Sequence, residues 1–162
     1  MELVIGESVK ETNRVFVKSY TEEYCKAITE NYREYHIRTL KGNLSGNYPE
    51  YARQQLDEIE NGTANLMKFE IREGKKYYKI VQMEYDRVWK NGIIDDSNIV
   101  YEYREGSVHA FVDKNTGNVY KPASWKAPAK HVRFTFQKPE DIRFLLEPRN
   151  VGWAGGLSLI HI

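Results

Sequence analysis

Leu66–Tyr85, LMKFEIREGKKYYKIVQMEY, is where the chain changes from a helical to an extended period. Met67, Phe69 and Ile71 alternate with Lys68, Glu70 and Arg72, Glu73-Gly74-Lys75 offers a turn, and Tyr77–Tyr85 returns as a second strand. Further strands follow. Ile99–Tyr103 comes after a polar loop with Asn91-Gly92 and Asp95-Asp96-Ser97, and Glu105-Gly106 reads as another turn. Ser107–Val112 then places Val108, Ala110 and Val112 on one face, and Asp113-Lys114-Asn115-Thr116-Gly117 loops into Asn118-Val119-Tyr120. His131–Phe136 offers one more strand, and Pro139-Glu140-Asp141 opens a short helix through Leu146, with proline first and acids in the first turn.

Upstream the signals are helical. Ser19-Tyr20-Thr21-Glu22 has the form of a capping box, and Tyr24, Ile28, Tyr32 and Tyr35 continue it as a tyrosine-rich stripe. Asn47-Tyr48-Pro49-Glu50 starts a second helix, Ala52, Leu56 and Ile59 give its apolar face, and Asn61-Gly62 stops it. Helices followed by strands joined through short turns predict an α+β fold, with N-terminal helices packed on an antiparallel sheet of about four to five strands. One domain is expected over residues 1–156, with a helical part at 19–61, a β-rich part at 66–136 and a helix at 139–146.

Composition narrows the classes. At 41% hydrophobic and 29% charged, 162 residues can build one core, and wholesale disorder is excluded. Cys25 is the only cysteine, so neither an intramolecular disulfide nor a cysteine zinc cluster is available. The start, MELVIGESVKETNR, lacks a basic segment followed by an apolar one, and no run reaches spanning length; a cytosolic protein with no membrane partner is expected. Charge is uneven along the chain. Lys and Arg are outnumbered by Asp and Glu eight to eleven in residues 1–60 but lead eight to four in residues 107–162, so an anion-binding surface is expected from the C-terminal third.

No phosphate loop, dinucleotide fingerprint, zincin motif or nucleophile elbow is present, so no catalytic residue and no cofactor is assigned. His36, His109 and His131 fall on different elements and read as ordinary histidines rather than metal ligands, Asp95-Asp96 as a polar turn, and Cys25 as a partly buried, unreactive thiol. Lys114–Lys138 stands out. Six cations and no acid lie in that interval, interleaved with aromatics, and Lys114, Tyr120, Lys121, Trp125, Lys126, Lys130 and Arg133 are the candidate ligand-binding residues. Cations neutralise phosphate and aromatic rings stack on bases, which suits nucleic acid or a nucleotide. In the competing reading, Trp125, Phe134 and Phe136 anchor the core and the lysines form a solvated rim.

Ser107–Phe134, SVHAFVDKNTGNVYKPASWKAPAKHVRF, resembles a segment of small uncharacterised proteins of tailed bacteriophages, in which a D-x-x-T-G turn leads into Y-K-x-A-S-W-K-x-P-A-K. Arg72–Val81, REGKKYYKIV, is similar to a strand of the same group. The resemblance implies a phage origin and a place in the host cytoplasm, and it transfers no catalytic residue. Leu157–Ile162, LSLIHI, matches the translation of a transposase adapter used in sequencing libraries; the stretch is read as a sequencing scar on a metagenomic fragment whose native protein continued beyond Gly156. The expected function is a non-catalytic phage accessory protein that binds a phosphate-bearing ligand, either nucleic acid or a nucleotide signal sequestered against host defence. A module that inhibits a host protein or assists assembly, docking through its tyrosine stripe, is the alternative, followed by an enzyme with an unrecognised site.

Overall fold

The computed structural model describes residues 2–89, 97 and 99–154, and side chains from Asn13 onward; Asn91-Gly92, Asp95-Asp96 and Leu157–Ile162 lie outside the described residues. A long helix, α1 (Glu2–Asn43), is followed by α2 (Pro49–Asn61), strands β1 (Lys68–Glu73), β2 (Tyr77–Trp89), β3 (Ile99–Asp113), β4 (Asn118–Tyr120) and β5 (Phe134–Thr135), and the short α3 (Pro139–Leu145). The strands form one antiparallel sheet in the order β1-β2-β3-β4-β5. Helices and sheet share a single α+β domain, as the periodicity predicts.

Ser19 does not cap α1, which begins at Glu2. A Ser-x-x-Glu spacing is equally at home inside a helix, and here Thr21 turns its hydroxyl back to donate to the Val17 carbonyl at 2.6 Å. The buried face of α1 carries Val17, Tyr24, Cys25, Ala27 and Ile28, which pack on Phe69, Tyr78, Ile80, Ala110, Val112 and Val119 of the sheet. Removing each large apolar side chain from water contributes about 1.5–3 kcal/mol. α2 ends as expected. Gly62 sits at φ 75°, and the N–H groups of Gly62 and Thr63 close on the Ile59 and Glu58 carbonyls at 3.2 and 2.9 Å. Its start differs in detail, since Tyr48 rather than Asn47 is the N-cap and makes no side-chain cap hydrogen bond.

The Glu105-Gly106 turn is absent. β3 runs straight through it, because Gly106 lies at a register shift against Gln82, whose carbonyl oxygen would come within 3.2 Å of an added Cβ. A second shift lies at His109: Ile80 pairs with Ala110 and Val81 with Val108, so His109 is an extra residue that turns into the core beside Tyr24 and Phe69. Val108 therefore shares no face with Ala110 and Val112. The last strand is also shorter than the expected His131–Phe136 and keeps only Phe134–Thr135.

The β3–β4 connection is fixed from both sides. The Asp113 carboxylate accepts from the N–H groups of Asn115 and Thr116 at 2.8 and 3.0 Å, and Asn13 and Arg14 of α1 donate to Asn115. Gly117 takes φ 76°, and a Cβ there would lie 3.1 Å from Phe136 Cβ and 3.2 Å from Val17 Cγ2. Gly117→Ala is expected to cost about 2 kcal/mol through left-handed strain and crowding, read as a lowered denaturation midpoint at unchanged slope.

The segment after α3 closes the domain. Asn31 donates Nδ2 to the Pro148 carbonyl at 2.7 Å and accepts from the Trp153 N–H at 3.1 Å, while Trp153 packs against Tyr32 and Tyr35 at centroid distances of 5.0 and 5.2 Å. Val151 is fully buried. Asn31→Ala is expected to destabilise by about 2 kcal/mol by leaving both backbone groups without a partner, and hydrogen exchange of the Trp153 amide should rise with it.

Candidate functional site: a basic and aromatic cleft

The face of the sheet turned away from α1 is set by register. Arg72 pairs with Lys79, Lys79 with Phe111 and Phe111 with Tyr120, which lays one row of side chains across four strands. Tyr77 stands two residues from Lys79, with its ring 5.9 Å from Phe111 and 6.2 Å from Tyr120. Arg72 is already engaged, donating at 3.0 Å to both Glu105 and Glu70; these hydrogen bonds hold its guanidinium even more firmly protonated than usual.

Lys121–Ala129 forms a tongue against this row. Pro122 bridges to Pro128, the N–H groups of Ala123 and Ser124 donate to the Ala127 carbonyl at 3.0 and 3.1 Å, and Ser124 Oγ accepts from the N–H groups of Lys126 and Ala127. Two prolines and a serine-centred turn thus hold Trp125 and Lys126 at the tip. The Lys79 ammonium lies 4.4 Å from the Trp125 ring centroid, a cation–π contact, and Trp125 remains 40% exposed.

Between tongue and hairpin is a cleft of about 310 Å³ lined by Arg72, Glu73, Gly74, Lys75, Lys76, Tyr77, Lys79, Phe111 and Lys126. No described carboxylate forms an ion pair with Lys75, Lys76, Lys79 or Lys126. Glu73 is the one carboxylate in the lining, and Lys114 binds it at 2.6 Å, which holds its carboxyl below the usual range. No serine, threonine, cysteine or histidine lines the cleft. Its lining sets four lysines beside the rings of Tyr77 and Phe111.

The candidate residues separate. Lys126 lines the cleft, Tyr120 and Trp125 adjoin it through Tyr77 and Lys79, and Lys121 and Lys130 are exposed near the tongue's stem, where the Ala129 N–H meets the Lys121 carbonyl. Lys114 is spent on Glu73 and the Gly74 carbonyl. Arg133 donates its N–H to Val119 and exerts its charge on the Tyr24 phenol on the helix side. The competing reading of the aromatics holds in part, since Phe134 and Phe136 belong to the core while Trp125 does not. Sequence reading missed Lys75, Lys76 and Lys79. Their signal was the cationic edge of the KKYYK run, but only the pairing of β2 with β3 and the tongue shows that they line one cleft with Lys126 and that Lys79 faces Trp125.

Other sites fit a ligand less well. A groove of about 600 Å³ between α1 and β1 includes Cys25, whose buried thiol donates to the Phe69 carbonyl and is pushed up to about 12 by burial and, secondarily, by Glu70. Its cations Lys26 and Arg72 are already ion-paired. His36 stacks on Tyr32, His131 is exposed and His109 is buried. Among the described residues no three His, Cys, Asp or Glu side chains are placed to hold a metal ion, and no helix is long and apolar enough to cross a membrane.

Fold and cleft together define a single-domain α+β protein with a basic, aromatic cleft on the face of its sheet turned away from α1. The chain belongs to a family of unknown function, DUF7717, whose model matches residues 2–160. That range takes in Leu157–Ile160, so the match does not set these residues apart from the family. No curated protein and no solved structure is similar enough to the chain to count as a match.

Proposed function

We propose that the chain is a non-catalytic phage accessory protein whose cleft binds a phosphate-bearing ligand, nucleic acid or a nucleotide. The observation that carries this reading is that four lysines, none with a carboxylate partner, line one small cavity beside a half-exposed tryptophan. Like charges gathered at one cleft repel each other unless an anion joins them, and a nucleotide supplies phosphate together with a base for the aromatic surface. The phage assignment rests on the resemblance of Ser107–Phe134.

Fluorescence titration with an oligodeoxythymidylate and with mononucleotides, repeated across a salt series, tests the reading. Binding is expected to weaken steadily as salt rises, because salt cations re-associate with the phosphates and salt anions compete for the lysines. Affinity indifferent to salt would sink it. For the docking alternative, Tyr24 of the stripe is fully buried and Tyr32 and Tyr35 pack on Trp153, while Tyr35 stays 43% exposed.

A further inference from the structure

We infer that the ligand of this cleft is a free nucleoside polyphosphate rather than a segment of a single strand. This rests on the phosphate-binding reading and narrows it. The cavity, about 310 Å³, lies at the small end of the roughly 300–1,000 Å³ typical of ligand pockets. A strand carries about one negative charge per nucleotide, so a cavity for a single small ligand would offer one or two phosphates to Lys75, Lys76, Lys79 and Lys126. Ammonium groups would be left unneutralised. With a terminal phosphate near −2 and each inner one adding about −1, a nucleoside di- or triphosphate brings about three to four charges on one nucleotide.

The placement of the cations agrees. Proteins that hold single strands spread cations along a track, whereas here they cluster, and Lys121 and Lys130 stand by the tongue's stem instead of extending the cleft. Lys79 and Lys126 lie at the Trp125 end, Lys75 and Lys76 at the hairpin turn. The base stacks at Trp125 and the polyphosphate runs toward the turn. Glu73, held by Lys114, leaves no free carboxylate to repel it.

The test is calorimetric titration of the full chain with AMP, ADP, ATP, inorganic tripolyphosphate and an oligodeoxythymidylate under one buffer. Affinity is expected to rise about tenfold with each added phosphate, with the oligonucleotide no tighter than AMP. Lys75→Ala with Lys76→Ala should remove most of the gain from AMP to ATP and leave AMP binding in place; Trp125→Leu should weaken the nucleotides and spare tripolyphosphate. Lys75, Lys76 and Trp125 are exposed side chains, and thermal melts of the variants should match the parent. An oligonucleotide that binds more tightly than ATP overturns this inference while supporting the broader phosphate reading. Tripolyphosphate as tight as ATP, with Trp125→Leu silent, overturns the nucleoside part, and failure of every probe to bind overturns both readings.

Discussion

Reversing two cleft charges, Lys79→Glu with Lys126→Glu, is expected to lower affinity for a phosphate ligand at least a hundredfold. The two residues approach the cleft from β2 and from the tongue, and neither has a carboxylate partner whose loss would disturb the fold. A hydrogen bond to a charged group contributes about 1.5–3 kcal/mol, so losing two accounts for a hundredfold before repulsion is added. Lys121→Glu with Lys130→Glu is the matched control. It changes charge equally on two exposed side chains outside the cleft lining, and is expected to shift affinity only a few-fold through the long-range field. Equal losses in the double variant and the control would mean that overall charge, not the cleft, drives binding.

Lowering the pH from about 6.5 to about 4 is expected to remove about 3 kcal/mol of folding stability through one residue, His109. Its imidazole is 1% exposed, neither ring nitrogen has a hydrogen-bond partner, and burial drives its pKa down to about 4. The unfolded chain binds a proton at this histidine near its ordinary value, while the folded chain keeps it neutral. Between those two pH values the unfolded state holds more protons, so acid favours unfolding; above about 6.5 the contribution is fully present, and by about 4 it is lost. Denaturant titrations of the parent and His109→Leu at several pH values check this. The variant should have a flatter acid limb and should not lose stability at neutral pH, because two buried polar atoms without partners are removed. Identical acid limbs would place the sensitivity elsewhere. The ion-paired Glu70 and Glu73 titrate below the ordinary carboxylate range, so they act beneath most of the window assigned to His109.

Much of the fold was legible because its signals are local. Alternation at Met67, Phe69 and Ile71 marked β1, the turn at Glu73-Gly74-Lys75 separated it from β2, Asn61-Gly62 ended α2, and Pro139 opened α3. The start of α1 was missed because Ser-x-x-Glu describes a local spacing that a helix interior also satisfies. The bulge at His109 was missed for a different reason. An extra residue in one strand is defined only against its partner, here Ile80 and Val81 on the preceding strand. Of the site, the tongue half was legible: Trp125 between two prolines with lysines around it announces an irregular, basic segment.

By itself the sequence determined most of the helices and strands, though not all of their bounds, that they form one α+β domain, and that cations and aromatics concentrate between Lys114 and Lys138. Tertiary structure alone decided which of them meet. The row Arg72–Lys79–Phe111–Tyr120 exists only through the register of four strands, and the neutral burial of His109 only through a bulge. Lys114, strong on composition, went to Glu73, while Lys75, Lys76 and Lys79, ordinary on composition, came to line the cleft, with Lys79 against Trp125. Periodicity is written into neighbouring residues, but register is fixed by pairing at long range, and a shift of one residue sends every side chain of a strand to the opposite face.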